Sequence, residues 1–283
     1  MSSGSSSKGH DRVAVVTGSS TGIGYETALI LARNGFLTYA TMRDLGKSEN
    51  ILSVAKEEHL PLKVLQLDVT DDNSIKETIK SIIAEAGRID VLINNAGYGL
   101  VGPFEDLAID EIKKLYETNF YGVIRTTDAV LPHMRGQKSG RIINMSSGAG
   151  RFGYPGGGAY VSTKFALEGL SECIAQEVEQ FGIKVILIEP GFIKTNFGNS
   201  IEIAKKAMNP DSPYGKMMQT MQATFVELAS HASPASLVAE KVLEAATVDN
   251  PKLRYLAGKD VEQWVAAKRS MSDEEFFAML KRV

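Results

Sequence analysis

Tyr160 and Lys164, in the stretch GGGAYVSTKFALEG, stand four residues apart and share one face if that stretch is helical. A phenol ionises near pH ~10 in water, which makes it a poor base at neutral pH. A neighbouring ammonium favours the phenolate, so the pair makes sense as a general acid/base with its tuner. The same spacing also describes ordinary neighbours on a helix surface. Ser147 closes a strand-like run thirteen residues before Tyr160, where its hydroxyl could hold a carbonyl oxygen for the phenol to protonate. Asn119, in LYETNFYG, is an amide within an otherwise apolar helical stretch. It bends the helix, holds a water or is a satisfied core amide.

A second cluster lies near the start of the chain. The first strand-like run empties into TGSSTGIG, residues 17–24, which puts Gly18, Gly22 and Gly24 between a strand and a helix. Glycine there allows a tight turn and close backbone approach, and the N–H groups opening the helix suit a pyrophosphate. Ser20, Thr21 and Ile23 complete the turn. A glycine-rich βα turn with no ligand is the plainer alternative, because three residues separate Gly18 from Gly22 and the strict dinucleotide spacing is absent. An acid usually follows such a turn by about 20 residues, where it binds a ribose hydroxyl. Here that place is taken by Met42 and Arg43. A guanidinium there can grip a 2′-phosphate, which favours NADP(H) over NAD(H), with Asp44 as the opposing charge. Asp68, followed by Val69, ends a third strand and suits an adenine amino group. NNAG, residues 94–97, ends a fourth and brings Asn95, Ala96 and Gly97 to the adenosine ribose. Any of these could instead organise a turn.

The elements that must position these residues alternate regularly. Segments 12–18, 36–43, 62–69, 90–97, 141–147, 183–191 and 253–258 read as strands, most of them near-continuously apolar, as parallel strands covered on both faces should be. Helices are predicted over 22–34, 45–58, 72–86, 108–135, 158–181 and 234–247. Asp71 and Asp72 suit a helix start, and Ser233 followed by Pro234 resembles an N-cap with proline at the first helical position. Repeated βα units imply right-handed crossovers and one doubly wound α/β domain over 11–283. Residues 192–232 are too long for an ordinary βα connection. They carry Met208, Met217, Met218 and Met221, and are expected to form a substrate lid, with a surface excursion bearing core-facing methionines as the alternative. Residues 259–283, with Trp264 and SDEEFFAMLKRV, read as a helical extension that covers the domain or meets a neighbour.

Bulk properties narrow the partners. A net charge of −3 supplies no field for nucleic acid or anionic membrane. No segment approaches the ~20 apolar residues of a membrane span, so a cytoplasmic location is the default expectation. The opening MSSGSSSKGH, residues 1–10, reads as a flexible leader or an expression scar rather than a secretory signal. The lone Cys173 is expected to be a small packing residue away from the reacting face. His10, His59, His133 and His231 form no ligand spacing, so no metal is expected.

Taken together, TGSSTGIG, NNAG, Asn119, Ser147, YVSTK, and Pro190-Gly191 followed by Ile193 and Thr195 resemble the short-chain dehydrogenase/reductase family from about residue 12 to 195. The resemblance implies a single Rossmann-like domain with a seven-stranded parallel sheet and helices on both faces. It implies Tyr160 as acid/base, Lys164 on the ribose hydroxyls, Ser147 orienting the carbonyl and Asn119 on a water of the proton relay. Gly18, Ile23 and Asn95 would line the cofactor site, and Thr195 would touch the carboxamide. The segment FLTYATMRDL, the long 192–232 span and the tail look most like the steroid- and retinoid-dehydrogenase side of the family. The implied activity is NADP(H)-dependent interconversion of a secondary alcohol and a ketone, or of an alcohol and an aldehyde, on a fairly apolar small molecule. A 3-oxoacyl reductase, a general carbonyl reductase and a non-catalytic NADP(H)-binding redox sensor are the alternatives. Many relatives form a homodimer or homotetramer through the helices near 108–135 and 158–181.

Overall fold

The computed structural model describes residues 12–195, 198 and 200–280, so the expected leader and the last three residues of the C-terminal extension lie outside the described residues. Seven strands form the main sheet: β1 (Val13–Thr17), β2 (Leu37–Met42), β3 (Leu62–Gln66), β4 (Val91–Asn94), β6 (Gly140–Met145), β7 (Ile183–Pro190) and β11 (Arg254–Ala257). Their order is β3-β2-β1-β4-β6-β7-β11, and each neighbouring pair is parallel. A short β5 (Gly99–Val101) lies outside it. The sheet and its flanking helices match the expected doubly wound architecture.

Both faces are covered. On one, α1 (Gly22–Arg33) and α8 (Ala235–Thr247) bury Ala28, Leu31, Val238 and Val242 against Val16, Ile93 and Ile186. On the other, α3 (Asp72–Ala86) and α5 (Gly122–Gln137) bury Ile75, Ile79, Val130 and Met134 against Val15, Leu92 and Ile142. Side-chain hydrogen bonds thread this second layer. Asn94 donates to Asn144 at 2.9 Å and to Thr127 at 3.1 Å, and Asn144 donates to Ser171 at 2.9 Å on α6 (Gly158–Val178). The first asparagine of NNAG is therefore a core strut and not a cofactor residue, because its partners lie within the layer beneath the sheet edge.

Three predicted helices are subdivided. The 45–58 segment is a 3-10 turn at Leu45–Lys47 followed by α2 (Glu49–Glu57), the turn being held by Asp44, whose carboxylate accepts from the Gly46 N–H at 2.9 Å. The 108–135 segment is α4 (Ile109–Tyr116), a π-helical turn at Glu117–Tyr121 and then α5. The 158–181 segment ends in a 3-10 turn at Glu179–Phe181. Asp71 caps α3 as expected, accepting from the N–H groups of Asn73 and Ser74.

Other expectations fail. Ser233–Pro234 is a bridge strand, β10, parallel to β8 (Ile193–Lys194), because the Ser233 N–H is committed to the Phe192 carbonyl at 3.0 Å. The helix consequently begins at Ala235. Cys173 is exposed, since it falls on the outer face of α6, and does not pack. The methionines divide: Met208 is 63% exposed, whereas Met217, Met218 and Met221 on α7 (Gly215–Ser230) are partly buried.

Candidate active site

The carboxyl ends of the strands open into a crevice of about 530 Å³ where the strand order reverses, between β1 and β4. Gly18, Ser20, Thr21, Gly22, Ile23 and Gly24 form one wall. Gly18 and Gly22 hold φ of +70° and +63°, which favour glycine. At Gly24 an added Cβ would stand 2.3 Å from the Gly18 carbonyl oxygen and 2.4 Å from Asn95 Nδ2, so the third glycine exists for close packing. Helix α1 opens here with Thr21 as N-cap, no side-chain cap and no acid in its first turn. Its leading N–H groups are thus available to an anion. Asn95 fixes the opposite wall by donating to the carbonyls of Thr17 and Gly18 at 2.9 and 3.0 Å. The residues present fit a dinucleotide with its pyrophosphate at α1.

Arg43 reaches the far end of the crevice and has no acidic partner among the described residues, while Asp44 is turned onto its own backbone. Lys47 lines the same end, a cation that the sequence reading missed although it stands four residues after Arg43. Asp68 and Val69 also line the crevice, but the Asp68 carboxylate already accepts from the Thr70 N–H and hydroxyl at 2.9 and 2.8 Å. It organises its turn as well as facing the cavity. Ala96, Gly97, Pro190, Gly191, Ile193 and Thr195 complete the predicted lining.

Ser147, Tyr160 and Lys164 converge at the inner end of this crevice. Ser147 caps a 3-10 turn, Gly148–Gly150, by accepting from the Ala149 N–H, and also hydrogen-bonds the Tyr160 phenol. Lys164 is buried, and its Nζ lies 5.6 Å from the Tyr160 ring centroid and donates to the Met145 carbonyl at 2.8 Å. Burial pushes the Tyr160 phenol up to about 12, with the Ser147 hydrogen bond opposing it. Burial also draws Lys164 down to about 8, with the charge of Glu168 opposing it. The phenol is raised and not lowered as the neighbouring ammonium would suggest, because loss of water on burial dominates and the opposing contribution comes from Ser147.

Asn119 stands apart from the lining. It is 1% exposed within the π-helical turn, where its Nδ2 donates to the Tyr98 carbonyl at 2.9 Å and its Oδ1 accepts from the Tyr98 N–H at 3.1 Å. Both amide functions clamp the segment that follows NNAG, the bland alternative of a satisfied core amide. The π turn is the local bend the sequence allowed for.

Comparison with known proteins accords with this geometry. The family model described as short chain dehydrogenase matches residues 12–206. The chain belongs to the short-chain dehydrogenase family. It is 34% identical over 272 residues to a 3-ketodihydrosphingosine reductase of Bacteroides thetaiotaomicron, covering 96% of this chain and 97% of that one. It is 42% identical over 190 residues to retinol dehydrogenase 8 of Homo sapiens, covering 66% of this chain and 60% of that one. Among solved structures, a short-chain dehydrogenase from Streptomyces avermitilis superposes with a TM-score of 0.82 at 32% identity, covering 96% and 95% of the two chains. An alcohol dehydrogenase from the archaeon Thermococcus sibiricus, complexed with 5-hydroxy-NADP, gives a TM-score of 0.71 at 27% identity, covering 87% of this chain and 95% of the other.

As an oxidoreductase of this family, the chain carries two features around the site that sequence reasoning did not resolve. The long span after β7 returns to the body: β9 (Ile201–Ile203) pairs with β5, and Lys114 meets Glu202 at 3.1 Å at the crevice edge. Tyr214 hydrogen-bonds the Glu105 carboxylate, and Ser212 donates to Asp106 at 2.7 Å. The C-terminal extension folds as α9 (Lys259–Ser270) and α10 (Asp273–Leu280), burying Val261, Val265 and Phe276 against Phe152 of its own chain. Asp260 accepts from the Phe192 N–H at 2.7 Å and thereby pins the Pro190-Gly191 corner. Partners 68 residues apart leave no sequence signal.

Proposed function

We propose that this short-chain dehydrogenase interconverts a secondary alcohol and a ketone, or an alcohol and an aldehyde, with NADP(H). The observation that carries the reading is the hydrogen bond between Ser147 and the Tyr160 phenol at the crevice's inner end, with the buried Lys164 beneath the ring. The glycine turn and Asn95 would hold a nicotinamide dinucleotide, which would supply hydride for the carbonyl carbon or accept it in the reverse direction. Ser147 holds the carbonyl oxygen, and Tyr160 passes its proton to that oxygen. A phenol near about 12 is protonated at neutral pH, so the resting protein is set as an acid for carbonyl reduction. Lys164 holds the ribose hydroxyls and Asn119 fixes the Tyr98 segment beside them.

Arg43 and Lys47 favour NADP(H), because two cations at one end of the crevice suit a 2′-phosphate and Asp44 is occupied by its own turn. The Thermococcus enzyme was solved with an NADP derivative, which supports a nicotinamide dinucleotide in the crevice. An apolar substrate is supported by the aromatic packing under the 192–232 lid, where Tyr154 and Phe192 pack on Phe225 of α7 and Phe192 packs on Trp264 of α9. Exposed Tyr121 and Phe165, on the segments that the family resemblance assigns to assembly, support a homodimer or homotetramer.

The test is NADPH consumption over ketosteroids, retinal, long-chain 3-oxo amines, 3-oxoacyl thioesters and small aldehydes. Turnover of an apolar ketone or aldehyde supports the reading. Tight NADPH binding without turnover of any of these favours the redox-sensor alternative.

A further inference from the structure

A buried set of charges lies behind the reacting groups. Glu168 stands one helical turn beyond Lys164 on α6, its side chain 8% exposed, and Arg254 on β11 donates to its Oε2 at 2.9 Å. The same guanidinium meets Glu189 on β7 at 3.1 Å and Glu172 at 2.5 Å, and Arg151 meets Glu189 at 3.0 Å. Two buried carboxylates, Glu168 and Glu189, and the half-exposed Glu172 therefore face two guanidiniums, and Glu168 is the one whose charge acts on Lys164.

Arg254 satisfies only one oxygen of Glu168. The other, Oε1, is buried with no hydrogen-bond partner among the described residues, and so is the hydroxyl of Ser146. Both atoms look onto Gly150, where an added Cβ would stand 2.9 Å from Ser146 Oγ and 3.3 Å from Glu168 Oε1. Ser146 sits between Met145, whose carbonyl takes the Lys164 hydrogen bond, and Ser147. The half-satisfied carboxylate is thus aimed at the turn that carries the reacting hydroxyl. Burying an ionised carboxylate this way is costly for stability alone, and an apolar residue of similar size is often as good.

We propose that Glu168 is a positioning residue: gripped by Arg254, its negative charge holds the buried Lys164 ammonium in its charged form beneath Tyr160. This rests on the reading that Lys164 belongs to the reacting set. Burial alone works against the charge on Lys164, and Glu168 is the acid that opposes it. The other charged groups on elements around this turn of α6 are Arg151 after the 148–150 turn, Glu189 on β7, Arg254 on β11, Lys114 on α4 and Glu117 in the π-helical turn. Tyr154 and Tyr160 are both pushed up by burial and stay neutral at pH 7.

The experiment is an NMR titration of the lysine side chains in the full, cofactor-free chain, with Lys164 assigned from Lys164→Arg and folding checked by circular dichroism. Glu168→Gln is expected to lower the Lys164 midpoint by about one unit, the scale of one nearby charge, and Arg254→Gln to raise it. Glu168→Asp restores the midpoint toward wild type. A merely structural role moves neither midpoint, or moves both in one direction. An unchanged Lys164 midpoint in folded Glu168→Gln overturns the proposal. If that variant does not fold, Arg254→Gln decides: a rise supports the proposal, and an unchanged or lower midpoint ends it. No cofactor or substrate enters the measurement, so its outcome is independent of whether NADPH proves to be the coenzyme.

Discussion

The Lys164 ammonium sits 5.6 Å from the centroid of the Tyr160 ring and gives its hydrogen bond to the Met145 carbonyl. This arrangement buries a cation whose proton affinity falls to about 8, against 10.5 for an ordinary lysine. Lys164 is charged below that pH and loses its charge as pH rises through it. If the charge is needed, kcat/KM, which reports groups of the free enzyme, falls above about 8. A profile that stays level from about pH 7 to 9.5 excludes this role for the ammonium.

Tyr160→Phe removes the proton donor and leaves the ring that packs over Lys164. Turnover is expected to fall by about 10²- to 10⁴-fold, the contribution of one general acid. NADPH affinity, measured by fluorescence titration, should stay within about threefold of wild type, because the phenol is one contact among many. Undiminished turnover on an active substrate refutes the assignment.

Arg43→Ala tests coenzyme choice. A charge-assisted contact to phosphate contributes about 1.5–3 kcal/mol, so NADPH affinity should drop by roughly 10- to 100-fold while NADH affinity barely changes. Lys47→Ala should act in the same direction by a smaller factor. Equal affinities of the unaltered protein for the two coenzymes would remove the basis of both expectations.

How far the sequence reveals this site follows from the range of the interactions. The inner strands of the sheet were legible because they are buried on both faces and so read as apolar runs, whereas the edge strands β3 and β11 are only partly buried. Tyr160 and Lys164 were legible because four residues make one helical turn. The break at Ser48 was not, since a 3-10 turn preserves the helical pattern that surrounds it, and the 117–121 turn showed only through the amide of Asn119 in an apolar stretch. Glu168 and Arg254, 86 residues apart, become neighbours only when β11 joins the edge of the sheet. The direction of the Tyr160 shift was also out of reach, because a sequence shows the neighbouring ammonium but not the loss of water that sets the shift.

Gly156→Ala probes the lid from the side of the loop before α6. Gly156 holds φ of +73°, and a Cβ there would stand 2.5 Å from Met221 Sδ on α7. The backbone strain costs about 1–2 kcal/mol for a residue other than glycine, visible as a lower urea midpoint. The steric part acts separately, by displacing the thioether end of Met221 on the inner side of the lid. KM for a bulky apolar substrate should therefore rise, while KM for NADPH stays unchanged because α7 does not line the cofactor crevice. Adding Met221→Ala removes the clash but not the strain, so the double variant should recover substrate KM without recovering stability. If KM remains raised in the double variant to the same degree, the loop acts through its own conformation and α7 is not the element that closes over substrate.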